Sequence, residues 1–144
     1  MENLKFYGHD VKNIKPINDA YSFVISPQHL YELMTKVWDR FSCAPKYRNE
    51  WSKENMTLGQ CSITAFLVQD IFGGEVRGVK LPDGGYHCFN VVDGQKFDLT
   101  SEQFGDTELD YENCPEQKRV EHFASQEKFE RYLYIRNRLF KLNK

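Results

Sequence analysis

The chain has 144 residues, a formal net charge of −2, and eleven Phe, eight Tyr and two Trp. Near-neutral charge excludes bulk electrostatic attraction to nucleic acid or to an anionic membrane as the basis of function. The length predicts one domain, residues 1–144, with a core dominated by large rings.

No apolar run is long enough to span a bilayer, and the start, Met1-Glu2-Asn3-Leu4-Lys5, lacks an export-signal core. These features predict a cytoplasmic protein with no membrane segment. The four cysteines, Cys43, Cys61, Cys88 and Cys114, are unevenly spaced, so free thiols are expected.

In chain order, Tyr21-Ser22-Phe23-Val24-Ile25 reads as a short strand. Ser26-Pro27 supplies a helix cap and a first-turn proline. Leu30, Leu33, Met34, Val37, Trp38 and Phe41 recur at helical spacing, which predicts an amphipathic helix over 27–41. A polar loop over 44–58 carries Trp51. From about Gln60 to Phe72 the chain is apolar on most sides, as in a central helix covered by sheet and helix. Gly73-Gly74 ends it.

Strands are expected at Glu75–Leu81, Tyr86–Val92 and Gln95–Leu99, the last two joined by the hairpin signal Asp93-Gly94. Residues 101–116 hold six acidic residues and no basic one, and read mostly as loop. A last helix should run from about Ser125 to Leu142, with Tyr132, Ile135, Leu139 and Leu142 on its apolar stripe. Its Arg131, Arg136, Arg138, Lys141 and Lys144 read as a solvated face.

Cys61 opens the central helix, where partial positive charge and unpaired N–H groups favour a thiolate. A two-residue turn at Asp93-Gly94 pairs Val92 with Gln95 and Val91 with Lys96. His87 and Asp98 then share one face as diagonal neighbours, roughly 7–8 Å apart or a little less between Cβ atoms. An imidazole beside a thiol takes its proton, and a carboxylate on the other ring nitrogen fixes the tautomer and stabilises the imidazolium. Cys61, His87 and Asp98 are therefore the candidate catalytic residues. Against this stands the plain reading of Cys61 as a small apolar filler. Trp51 is a candidate wall of the cleft. Tyr86 alternates away from His87 and is expected to be packed.

Metal binding is not expected: no C-x-x-C or H-x-x-x-H spacing exists, and His87 and Cys88 point to opposite faces. The acidic residues Asp106, Glu108, Asp110 and Glu112 lack an EF-hand pattern. No cofactor is called for.

Gly59-Gln60-Cys61 resembles the nucleophile motif of transglutaminase-like cysteine enzymes, in which a Cys opens a helix and a His and an Asp follow on successive strands. A closer resemblance is to the YunG family of small bacterial proteins. It is carried by Gly59-Gln60-Cys61-Ser62-Ile63-Thr64-Ala65, by Val68-Gln69-Asp70 with Phe72-Gly73-Gly74-Glu75, and by Asp98-Leu99-Thr100-Ser101-Glu102-Gln103-Phe104. Arg131-Tyr132-Leu133 and Arg138-Leu139 add to it.

The resemblance implies an α+β fold with a papain-like or transglutaminase-like core, in which the buried helix carrying Cys61 packs on a small antiparallel sheet. Cys61, His87 and Asp98 occupy the matching positions. Gln60 is a candidate binding residue that presents its amide to an oxyanion, as Gln does in papain-like sites, or else a structural cap. The expectation is a small cysteine enzyme, an amide or thioester hydrolase or an acyl transferase, acting on a peptide or acyl donor. The alternative is a relative that kept the fold, lost turnover and binds a partner.

Overall fold

A computed structural model describes residues 4–144; residues 1–3, part of the stretch read for an export core, lie outside the described residues. Among the described residues, three strands, β1 (Glu75–Lys80), β2 (Tyr86–Val92) and β3 (Gln95–Phe97), form one antiparallel sheet in the order β1-β2-β3. Among the same residues, four α-helices accompany it: α1 (Pro27–Met34), α2 (Cys61–Phe72), α3 (Arg119–His122) and α4 (Gln126–Lys141). The fold is mixed α+β. Among the described residues, no helix is long and apolar enough to cross a membrane.

Helix α2 is the centre of the molecule, with β1 and β2 on one side and α4 on the other. Ile63, Phe66, Leu67, Val68 and Ile71 are fully buried. Each such side chain contributes about 1.5–3 kcal/mol through the apolar surface it removes from water. Polar ties fix the helix in place. Asn90 of β2 donates to the Ala65 carbonyl (2.9 Å), and Asp70 accepts from Arg119 (2.6 Å) and from the Tyr132 hydroxyl. The helix stops at Gly73, whose φ of 82° is in the left-handed region and whose N–H donates to Gln69 O (2.8 Å).

The other helix ends follow their caps. Ser26 Oγ accepts from His29 N, and Ser125 Oγ accepts from Lys128 N. Helix α1 ends at Met34, well short of residue 41. The reason is competition for its later backbone groups: Arg138 captures the carbonyls of Val37 (3.0 Å) and Lys36 (3.1 Å). The Asp39 carboxylate folds the chain back by accepting from Phe41 N and Ser42 N.

The expected strand over 21–25 does not form. Asn18 caps a 3-10 turn at Asp19–Tyr21 instead, and Tyr21 and Val24 drop into the core. The basic residues of α4 are not all solvated either. Arg131 is 8 % exposed and donates to the Ser42 carbonyl (2.9 Å).

The approach to Cys61 depends on Gly59. Its φ is 71°, and a Cβ there would lie 2.6 Å from Cys43 Sγ and 2.8 Å from Ala44 N. Its carbonyl also accepts from Ala44 N (2.9 Å), so the chain cannot simply move away. Gly59→Ala should destabilise the fold by about 2 kcal/mol or more, since left-handed strain and a backbone clash act together. Urea denaturation measures this directly; a midpoint equal to wild type would show that the loop yields freely.

Candidate active site

The thiol is placed by the helix start. Gln60 precedes α2 with φ −108° and ψ 1°, and its carbonyl accepts the first helical bond, from Thr64 N (3.1 Å). No side chain caps this end, so the first-turn N–H groups around Cys61 remain available for a substrate oxygen. Cys61 itself is partly exposed.

The imidazole and carboxylate are placed by the hairpin. Asp93 and Gly94 have φ of 51° and 75°, the two positive values of a type I′ turn. Val92 pairs with Gln95, Val91 with Lys96 and Asn90 with Phe97. This register carries His87 and Asp98 to one face. There, His87 Nε2 and Asp98 Oδ2 lie 2.6 Å apart with both side chains 1 % exposed. Strand β3 ends at Phe97, shorter than the expected 95–99. Asp98 leaves the sheet because its N–H donates to Tyr7 O (2.8 Å), a pairing with the N-terminal segment.

Asp98 is held by more than His87. Tyr111 Oη donates to Oδ2 (2.7 Å), and Thr100 donates to Oδ1 from its N–H (3.1 Å) and its hydroxyl (3.3 Å). Four donors therefore surround one buried carboxylate and fix its orientation. Tyr111 is itself clamped, stacked on Tyr7 (centroids 3.8 Å) and edge-on to Phe89 (4.9 Å). Phe104 stands edge-on to the His87 ring (4.7 Å) and shields it.

Cys61 packs against the cluster that holds Cys88, lines one cleft with His87, and its thiol feels both the His87 charge and the Cys88 thiol. With Nε2 engaged by Asp98, Nδ1 is the ring nitrogen left for the sulfur. His87 and Cys88 alternate across β2 as expected, yet both reach Cys61 because the mouth of α2 lies against the strand at this point. The Cys61 thiol is pulled well below its usual value by donation from Cys88 and, against the cost of burial, by the charge of His87. Burial opposes charge on His87, but Asp98 and then Cys61 outweigh it and raise the ring to about 10. Donation to Cys61, together with burial, pushes the Cys88 thiol up. The directions of the Cys61 and His87 shifts are those that favour a thiolate beside an imidazolium.

The site opens into a cleft of about 480 Å³ between the α2 mouth, the β1–β2 turn and the start of α4. Tyr86, expected to be packed, is exposed and lines it. A larger cavity of about 610 Å³ lies beyond Tyr111 and is lined by neither a cysteine nor a histidine.

Two residues expected at the cleft are elsewhere. Gln60 is fully buried, and its amide donates to the Asp39 carbonyl (3.1 Å), so it neither lines the cleft nor caps the helix through its side chain. Trp51 is satisfied by the Met56 carbonyl (2.9 Å) and lines a separate cavity with Trp38 and Arg40. Conversely, Tyr111, Thr100, Phe104 and Cys88 were not singled out from sequence. Only Thr100 and Phe104 carried a signal, since both lie in the Asp98–Phe104 stretch. Among the described residues, no group of three or more His, Cys, Asp or Glu is arranged to hold a metal.

An α+β protein with a thiol and an imidazole on one cleft, the imidazole hydrogen-bonded to a buried carboxylate, is what the fold and site define. A model of the family described as YunG protein matches residues 26–143, and the chain belongs to the YunG family. It is 29 % identical over 109 residues to the uncharacterized protein YunG of Bacillus subtilis (strain 168), covering 76 % of this chain and 87 % of that one. No solved structure matches.

Proposed function

We propose that the chain is a small cysteine enzyme on a papain-like or transglutaminase-like core, an amide or thioester hydrolase or an acyl transferase. The carrying observation is that Cys61, at the mouth of α2, and His87 line one cleft, with the His87 Nε2 held 2.6 Å from the buried Asp98 carboxylate.

In this reading the Cys61 thiolate attacks the acyl carbon and the carbonyl electrons move onto oxygen. The N–H groups at the α2 mouth, including that of Cys61, face the resulting oxyanion. The intermediate collapses, and the His87 imidazolium gives its Nδ1 proton to the departing amine or thiolate. An S-acyl enzyme remains. His87, now neutral, takes a proton from water or an amine as that nucleophile attacks. The second intermediate expels the Cys61 thiolate and restores the imidazolium. Asp98 orients the ring throughout.

An aryl thioester tests this. The expected result is a mass gain of one acyl group on the intact protein, mapped to Cys61, with release on further incubation. Cys61→Ala should abolish the adduct. Selective alkylation of Cys61 with no acyl-enzyme from any thioester or activated ester would favour the alternative, a papain-like binding module that no longer turns over.

A further inference from the structure

We propose that the acyl compound processed at Cys61 carries a carboxylate, and that Lys128 is the residue that recognises it. This rests on the reading of Cys61 as the nucleophile. The cleft's other side-chain charges are matched locally. Lys46 pairs with Asp83 (3.7 Å), and Arg131 pairs with Glu127 while donating to the Ser42 carbonyl. Lys128 also lines the cleft, and among the described residues no carboxylate pairs with it. Its neighbour is a histidine, His122, whose Nδ1 lies 3.0 Å from Lys128 Nζ.

That contact is built rather than incidental. An ammonium can only donate, so His122 Nδ1 must accept and the ring proton must sit on Nε2. Nε2 is 2.9 Å from Gln117 Oε1, which takes that proton's hydrogen bond. Gln117 is pinned to the sheet edge by its N–H on Val76 O (2.8 Å). Gly78 leaves the space for its side chain, since a Cβ there would lie 2.8 Å from Gln117 Nε2. The His122 ring rests on Phe66 of α2 (centroids 5.1 Å). Burial and the Lys128 charge both hold His122 below its usual value, consistent with a neutral ring.

The chain Val76–Gln117–His122 therefore fixes an ammonium at the cleft wall while spending one of its three donors. Two remain for a ligand, and a carboxylate is the group that would neutralise the charge. Lys128 and Cys61 line the same cleft, so the cation and the nucleophile face one cavity.

Iodoacetate and iodoacetamide deliver the same methylene carbon to Cys61, one with a carboxylate and one without. The ratio of their second-order rate constants isolates anion recognition from thiol reactivity. We expect this ratio to fall about tenfold in Lys128→Met, as for loss of one charge-assisted contact of about 1.4 kcal/mol, and to stay near wild type in Lys128→Arg. A ratio changed less than twofold in Lys128→Met overturns the proposal. Failure of the triad reading has a different signature: slow iodoacetamide labelling of wild type that His87→Ala leaves unchanged. Two thioesters then locate the carboxylate, a succinyl thioester of a neutral thiol for the acyl side and an acetyl thioester of mercaptopropionate for the leaving side. Faster acylation by either than by a neutral thioester supports the proposal and names the side; preference for neither opposes it.

Discussion

Iodoacetamide should alkylate Cys61 of the His87→Ala variant more slowly than Cys61 of the wild type at pH 7, by up to about 100-fold. The wild-type thiol lies well below its ordinary value because Cys88 donates to it and the His87 charge faces it. Only the thiolate reacts, so rate follows thiolate fraction, and the profile should rise with pH and level off well below pH 9. The direction is that of a depressed acid: thiolate is present above the folded value and lost as pH falls through it. Removing the imidazolium takes away its charge while donation from Cys88 still opposes burial, so the midpoint rises toward the ordinary range without passing it. Two pH units below that range only about 1 % is ionised, which sets 100-fold as the upper bound. In wild type, Cys61 should also react far faster than Cys43 and Cys114, whose thiols burial pushes up. Mass spectrometry of tryptic peptides resolves the cysteines. A pH profile unchanged by His87→Ala would remove the basis for general-base chemistry here.

The part of this site that lies within one hairpin was legible in the sequence. A two-residue Asp-Gly turn fixes register, register fixes parity, and parity puts His87 and Asp98 on one face. The helix bearing Cys61 was equally legible, since its apolar run could end only at Gly73-Gly74. What local pattern could not give was anything decided by packing between distant segments. Tyr111 sits in an acidic stretch without periodicity, and its role depends on stacking against Tyr7 from the other end of the chain. Trp51 looked like a cleft residue because it lies in a polar loop before Cys61, but the Met56 carbonyl turns its indole away. Gln60 is expected at the cleft only by analogy; its amide is buried and taken by the Asp39 carbonyl, in a segment 21 residues earlier in the chain. The basic residues of α4 have helical spacing, and spacing alone does not say which of them face Ser42 and the cleft.

Replacing Asp98 by Asn should cost about 10³–10⁴ in acyl transfer, while Tyr111→Phe costs about tenfold or less. The difference follows from counting donors. The carboxylate accepts from Thr100 N–H and hydroxyl on Oδ1, and from Tyr111 and His87 on Oδ2. An amide in its place has one oxygen and one donating nitrogen. The Thr100 N–H belongs to the backbone and cannot turn away, so the oxygen is held on that side; the reverse orientation leaves a buried N–H unpaired, at about 1–3 kcal/mol. The amide NH₂ then faces His87 Nε2. The ring must accept there, which puts its own proton on Nδ1, toward Cys61. A neutral imidazole protonated on that side cannot take the thiol's proton, and the charge that raised His87 to about 10 is gone. Tyr111→Phe removes one of the four donors but keeps the charge, the Thr100 contacts and the tautomer, and its ring can still stack on Tyr7. Single-turnover acylation by a thioester measures both variants, with circular dichroism to show that each is folded. Equal losses in the two would mean that the carboxylate acts as one more hydrogen-bonded core group, and that its charge does not set the proton on His87.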